Sequence, residues 1–403
     1  MSKTIVINQP YIETPSPSVV MLCSTVEFEG ASHILWYETD AQWSEFLCTE
    51  RADAFLVNLL LFAMERGADI VCKCDISERL YYQLTEYLIP CIASHISRYQ
   101  SIAIEGNLSS EKLPSANAFG TGVSGGVDSL YTVLKHLKRN DGHSLTHLLF
   151  CNAGTNGDFG GEDARETYRL RYAFLKGFAD ECNLSVVPVD TNINEFLNQV
   201  QEATHTFRTL STSLIFQKLF SVYWYGSGYP FDKFRFSAGD TAGYDLLTMQ
   251  CISTENLTFY SSGGETTRLG KLKFISDNEL AQKYLNVCIA GGIPNCGHCE
   301  KCRRTIMGLY AIGKLDSFSQ CFNLKDIKDH IFQHKMFTYF HRNRVDWPEI
   351  YQSLRKQGEI NKLNIFAYYC YLVIEIPKII VYKLKMKSKV SLKQAANHII
   401  YNI

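Results

Sequence analysis

The six residues Ser124-Gly125-Gly126-Val127-Asp128-Ser129 constrain this chain more than any other stretch. They follow a short apolar run and precede residues 130–137, LYTVLKHL, whose spacing predicts a helix. A strand, a tight glycine turn and a helix start in succession make an anion-binding device. The N–H groups of the first helical turn and the positive end of the helix dipole converge on one point. Glycine permits the turn and keeps Cβ atoms away from an incoming phosphate. Ser124 and Ser129 add hydroxyl groups. Asp128 is the odd member, because a carboxylate beside a phosphate makes sense mainly with Mg²⁺ between them.

Two other glycine-rich readings fail. Gly120-x-Gly122-x-x-Gly125 matches the dinucleotide fingerprint, which needs an acidic residue about 20 positions on to hold a ribose. The next apolar run, 148–152, ends at Asn152 without one. The phosphate-loop lysine motif is missing too, since no Gly-Lys-Ser/Thr follows the turn. The string instead resembles the signature of the PP-loop ATP pyrophosphatase superfamily, which cleaves ATP between the α- and β-phosphates. The resemblance implies that the loop grips the departing pyrophosphate. On that basis Ser124, Gly125, Gly126, Val127, Asp128 and Ser129 bind ATP, with Asn152 close to adenosine or substrate.

At 403 residues the chain is long enough for two or three domains. An apolar content of 46% and a charged content of 20% describe an ordinary globular protein. The formal net charge of -1 gives no bulk attraction to nucleic acid or membrane. The start Met1-Ser2-Lys3-Thr4 lacks the apolar run of a secretory signal, and no long uninterrupted apolar segment calls for stable membrane insertion. A cytoplasmic protein is expected. Its 14 cysteines then read as reduced thiols, some of them metal ligands.

Three regions are expected. Residues 1–112 read as an N-terminal α+β module. Within it, 18–28 and 32–37 are strands around the turn Glu29-Gly30-Ala31. Asp53–Arg66 is a helix closed by Gly67, 70–74 a strand, and 77–89 a helix capped by Ser77. The pair Cys72-x-Cys74 reads as strand packing, and the polar stretch 105–115 as a linker. In 113–310, strands alternate with helices. The apolar runs 146–152, 184–189, 234–238 and 257–260 predict an α/β domain, a parallel sheet with helices on both faces. Ligands of such sheets bind outside the carboxyl ends of the strands. Ser124, Asn152, Asp190 and the pair Gly239-Asp240 are expected at those ends. Residues 311–403 read as a helical C-terminal region with Pro348 and Pro377 as breakers. Its apolar run 365–374 and the lysines at 378, 383, 385, 387 and 389 read as a core-packing helix with a basic end, or as a basic amphipathic surface segment.

Cys288, Cys296, Cys299 and Cys302 form the second strong signal. Four thiolates can close a tetrahedral site, the pattern of structural Zn²⁺. A tight knuckle running into a helix at Arg303 would bring them together. His298 could replace one thiolate. An iron–sulfur cluster also uses four thiolates, and a persulfide carrier is a third use.

A Ser-Gly-Gly-x-Asp-Ser loop at the start of an α/β domain, with this cysteine set at its end, resembles the 7-cyano-7-deazaguanine synthase family. The resemblance implies an adenine nucleotide alpha hydrolase-like fold, and Cys288, Cys296, Cys299 and Cys302 as ligands of a structural zinc. Family members carry Asp then Ser-Gly-Tyr-Pro-Asp-Cys-Arg near the substrate. This chain has Asp240-Thr241-Ala242-Gly243-Tyr244-Asp245, which keeps the Gly-Tyr pair and the flanking carboxylates but not the Pro, Cys and Arg. The likeness covers about half the chain.

The activity so implied is an AMP-forming ligase. A small-molecule carboxylate attacks the α-phosphate of ATP, and a nitrogen nucleophile then displaces AMP. Arg268 and Lys271 are the expected cationic clamps, with Asp128 and Asp240 near Mg²⁺. An N-terminal glutaminase would need cysteine where Ser2 stands, so nitrogen is expected from ammonia, an amine or a partner. The same adenylation chemistry also serves sulfurtransferases and enzymes that modify a nucleic acid or a protein. A homo-oligomer is compatible with the sequence.

Overall fold

A computed structural model describes residues 3–290 and 292–370. Among them, 3–124 and 128–266 form one compact unit, and 125–127 with 267–370 form a second.

The first unit is built on an 11-stranded, mostly parallel sheet flanked by helices. Its N-terminal part comprises β1 (Lys3–Ile7), β2 (Tyr11–Ser16), β3 (Val19–Phe28), β4 (Ala31–Asp40) and β5 (Ala68–Cys72). β3 and β4 pair from Val19↔Asp40 to Phe28↔Ala31. The two residues between them, Glu29 and Gly30, both take positive φ (51° and 81°). A two-residue turn of that kind matches the twist of the strands it joins. Helix α1 (Asp53–Arg66) follows and is buried from Asp53 to Met64. It ends where Gly67 turns left-handed at φ 59° and its N–H reaches back to Ala63 and Met64.

β6 (Ile76–Ser77) leads into α2 (Glu78–Gln83), capped by the Ser77 hydroxyl, which accepts from Leu80 N–H at 3.1 Å. A wider π-type turn at Leu84–Leu88 carries the chain into α3 (Ile89–His95), so helical structure runs past the expected limit. The expected linker is pinned structure. β7 (Ile104–Glu105) joins β5, and β8 (Leu108–Ser109) pairs with β6. Leu113 N–H also donates to Asn256 Oδ1 at 2.9 Å.

The five parallel strands are β9 (Ala118–Gly122), β10 (His147–Cys151), β11 (Ser185–Thr191), β12 (Phe220–Gly226) and β13 (Thr258–Ser262). Helices α4 (Val127–His136), α5 (Glu162–Cys182), α6 (Ile193–Leu197), α7 (His205–Leu214) and α8 (Asp245–Cys251) connect them. They lie in the order β13-β12-β9-β10-β11, and every neighbouring pair is parallel. The expected strand at 234–238 is not formed. Pro230 and Gly228 break the chain there, and Phe236 leaves a loop to pack against His95 and Tyr244. The fourth strand lies earlier, in the aromatic run Phe220–Gly226.

The sheet does not stop at β11. β4 pairs with it antiparallel, at Asp190↔Glu38 and Thr191↔Tyr37. Side chains extend the seam: Thr39 Oγ1 donates to the Pro188 carbonyl at 2.7 Å, and Thr191 Oγ1 to the Trp36 carbonyl at 2.6 Å. α1 packs against α7 across a buried knot in which Asn58 Nδ2 donates to Ser211 Oγ (2.7 Å) and to the Tyr37 hydroxyl (3.1 Å). The N-terminal residues therefore share one sheet and one core with the parallel strands.

The second unit is helical: α9 (Arg268–Ile275), α10 (Glu279–Tyr284), α11 (Glu300–Ala311), α12 (Leu324–Asp329), α13 (Ile331–His341), α14 (Trp347–Lys356) and a further helical stretch over 362–370. Pro348 starts α14 rather than breaking a helix, because proline at the first positions gives up only an N–H that has no intrahelical partner. Pro377, residues 371–374 of the apolar run and the lysines from 378 onward lie outside the described residues. Among the described residues no helix is long and apolar enough to cross a membrane.

Candidate nucleotide loop and metal centre

Strand order places the glycine loop. Counted along the chain, the five parallel strands lie in the order 3-2-1-4-5. The connections leaving strand 1 (β9) and strand 4 (β12) run in opposite directions. This topological switch point is where open α/β sheets bind ligands. The loop from Ser124 to Ser129 leaves β9 at that point.

The loop is held by its own residues. Ser129 Oγ accepts from Ser124 N–H at 3.0 Å and donates to the Gly122 carbonyl at 3.2 Å. Its hydroxyl therefore braces the turn. Gly125 stands at φ 74°, a conformation that side chains disfavour, and its carbonyl accepts from Asn286 N–H at 2.8 Å. α4 begins at Val127, which is buried, with Asp128 in its first turn. Glycines also bring β12 close. A Cβ on Gly226 would lie 3.0 Å from the Asp128 carbonyl oxygen and 3.2 Å from Thr132 Oγ1. One on Gly120 would lie 2.6 Å from the Phe220 ring. Gly226 escaped the sequence reading because its strand did. The run Phe220–Tyr225 ending in glycine was the available signal.

Asn152 and Asp190 do lie at the carboxyl ends of β10 and β11. Asn152 Nδ2 donates to Asp190 Oδ1 at 2.8 Å, while its Oδ1 accepts from Asn156 Nδ2 at 3.2 Å. Asp190 also accepts from Arg165 Nε at 3.0 Å. These contacts make Asn152 a brace of the edge. Arg208 was not anticipated. Fully buried on α7, it donates to the Asp158 carbonyl (2.9 Å), Asn194 Oδ1 (3.2 Å) and the Gln199 carbonyl (2.8 Å), fastening the loop that follows β10. Burial draws its guanidinium down to about 10.

Gly239 and Asp240 follow no strand, since β12 ends at Gly226. Asp240 caps a short turn over Thr241–Tyr244. Its Oδ1 accepts from Ala242 N–H (3.0 Å) and its Oδ2 from the Tyr229 hydroxyl (2.7 Å), with Arg235 at 3.5 Å. In the second unit, Arg268 and Lys271 open α9, capped by the Thr267 hydroxyl at 3.2 Å from Gly270 N–H. Both are buried, at 7% and 1% exposure, which is unusual for such long cationic side chains.

Cys288, Cys296, Cys299 and Cys302 meet as expected, with their sulfurs all within 4.8 Å of one another. Cys296 and Cys302 sulfurs are 3.8 Å apart. Four sulfurs held tetrahedrally about 2.3 Å from one zinc would be separated by roughly that distance. Gly297 at φ 78° makes the knuckle turn, and Cys299 N–H points at Cys296 Sγ at 3.4 Å. Cys299 stands immediately before α11, which carries Cys302 in its first turn. Behind the sulfurs, Asn295 accepts from Val287 N–H at 2.7 Å and donates to the carbonyls of Leu285 and Cys321 at 2.8 and 3.0 Å. The Cys302 hydrogen bond draws the Cys299 thiol down to about 5, while the same bond pushes Cys302 up. Sulfurs crowded this way share negative charge that a divalent cation neutralises. This Cys₄ cluster could hold a metal such as zinc. His298 points elsewhere, with Nε2 3.1 Å from Asp326 Oδ2.

Family models, curated proteins and solved structures give no match to this chain.

Proposed function

We propose that this chain is an ATP-dependent, AMP-forming ligase of the PP-loop type, resembling the 7-cyano-7-deazaguanine synthase family. One observation carries the reading: the Ser-Gly-Gly-x-Asp-Ser loop leaves the first strand of a 3-2-1-4-5 parallel sheet at its switch point. A carboxylate oxygen of the acceptor attacks the α-phosphorus, the α–β bridging bond breaks, and pyrophosphate leaves. A nitrogen nucleophile then attacks the acyl carbon, loses a proton, and AMP departs. The chain's share is positioning and charge neutralisation. Gly125 and Gly126 let backbone approach the departing pyrophosphate, and the start of α4 lends its dipole. Ser129 keeps the turn closed. Asp128 is the carboxylate that would hold Mg²⁺, which when bound neutralises phosphate charge. The Asp240 oxygens are already engaged by Tyr229 and Ala242. Arg268 and Lys271 serve as cations, and the four cysteines as a structural zinc centre.

The test is incubation with Mg–ATP and a panel of small carboxylates plus ammonia. AMP and pyrophosphate should form in equal amounts, and both should vanish in Asp128→Ala. ADP and phosphate as products, or turnover unchanged in that variant, would overturn the reading.

A further inference from the structure

One short segment ties the glycine loop to the cysteine knuckle. Gly125–Val127 belong to the same compact unit as the knuckle. Within that unit α10 ends at Tyr284, and Leu285 turns the chain to an extended conformation (φ -63°, ψ 113°). The N–H of the next residue, Asn286, therefore does not continue the helical ladder. It donates to the Gly125 carbonyl at 2.8 Å. A peptide unit is planar and trans, so anchoring the Gly125 carbonyl also fixes the plane that carries the Gly126 nitrogen. Gly125, at φ 74°, has no side chain through which packing could hold that plane. The Asn286 N–H holds it from outside the loop.

The segment supplying this N–H is itself clamped. Asn286 is 8% exposed, and its Nδ2 donates to the Gly292 carbonyl at 3.0 Å. Asn295 grips the residues on either side of it, accepting from Val287 N–H at 2.7 Å and donating to the Leu285 carbonyl at 2.8 Å. A buried amide costs free energy unless it is paired, so a side chain of this kind specifies one arrangement of the chain around it. An apolar side chain could fill the same space and would leave the direction of the Asn286 N–H to packing alone.

We infer that Asn286 is a positioning residue for the glycine loop. Tied to Gly292 by its side chain, it aims its own N–H at the Gly125 carbonyl and so sets the first glycine peptide of the loop for the β- and γ-phosphates of ATP. It acts through Gly125. This role rests on the nucleotide reading proposed above, in which the loop grips the departing pyrophosphate. Ligands that carry those phosphates should depend on Asn286, and AMP should not.

The experiment is calorimetric titration of Mg–ATP, Mg–pyrophosphate and AMP into the full-length wild type, Asn286→Ala and Asn286→Asp, with zinc content and melting temperature recorded for each. Aspartate keeps the shape of the side chain but offers the Gly292 carbonyl no N–H. Both variants should bind Mg–ATP and Mg–pyrophosphate about five- to tenfold more weakly, the worth of one buried hydrogen bond. AMP affinity and zinc content should match the wild type. A wild type that binds no Mg–ATP would overturn the nucleotide reading and this role with it. A wild type that binds, with both variants binding equally well, would overturn the role of Asn286 alone. Equal weakening of AMP, loss of zinc, or failure of both variants to fold would make Asn286 a general structural residue and would also overturn that role.

Discussion

The cysteine knuckle and the glycine loop are both short strings, yet they acquire chemistry in different ways. The knuckle is self-contained. Four sulfurs within 4.8 Å define a coordination sphere whatever surrounds them. The loop by itself is a turn between a strand and a helix. It becomes a candidate nucleotide site through the order of five strands, set by residues spread over more than a hundred positions. A substitution in the knuckle should therefore act on metal and stability together. A substitution around the loop should act on nucleotide and leave the metal alone.

The largest effect is expected at the knuckle. Cys299→Ser should lose zinc as measured by mass spectrometry under native conditions. Loss of a metal-closed site should cost on the order of 4 kcal/mol and lower the melting temperature by roughly 10 °C. Full zinc content with an unchanged melting curve would remove the distinction. Next comes Gly226→Val, which drives a side chain against the Asp128 carbonyl. Overpacking of about 1–3 kcal/mol should weaken Mg–ATP by about 10- to 100-fold in competition with a fluorescent ATP analogue, with zinc retained. Coupled loss of zinc would show that the two features are not separable.

A third prediction concerns pH. His136 on α4 stacks on Trp224 with ring centroids 4.0 Å apart. Burial first, then Lys135 and Arg139, pull it down from 6.5 to about 4. The unfolded chain binds the extra proton between those values. The stabilisation is thus complete above about 6.5 and is lost as pH falls toward 4. The melting temperature at pH 5 should lie below that at pH 7, and His136→Phe should narrow the gap. The smallest effect is Ser129→Ala, which removes the hydroxyl that bridges Ser124 N–H and the Gly122 carbonyl, at a net cost of about 1 kcal/mol by chemical denaturation.

Much of the architecture could be read from the chain because local rules and tertiary context agreed. The Glu29-Gly30 turn, α1 with its Gly67 cap, and the strands at β10, β11 and β13 are examples. β12 was missed because its aromatic run lacks alternation and a turn signal on its N-terminal side, which leaves only the run itself and its closing glycine to mark it. Phe234 and Phe236 drew the assignment to a loop instead. The seam between β4 and β11 was equally hidden. It depends on side chains such as Thr39 and Thr191 reaching backbone more than a hundred residues away. Among candidate site residues, the four cysteines announced themselves by spacing. Asn152 follows β10 as expected and Asp240 follows no strand; both are engaged within the protein, Asn152 by Asp190 and Asn156 and Asp240 by Tyr229 and Ala242.

The most direct measurement is calorimetric titration of Mg–ATP into the wild-type chain and into Gly125→Val, where a branched side chain is forced into positive φ. The account predicts a saturable heat at one nucleotide per chain for the wild type and none for the variant, with equal zinc in both. Absence of heat from the wild type, or the same affinity in Gly125→Val, would contradict it.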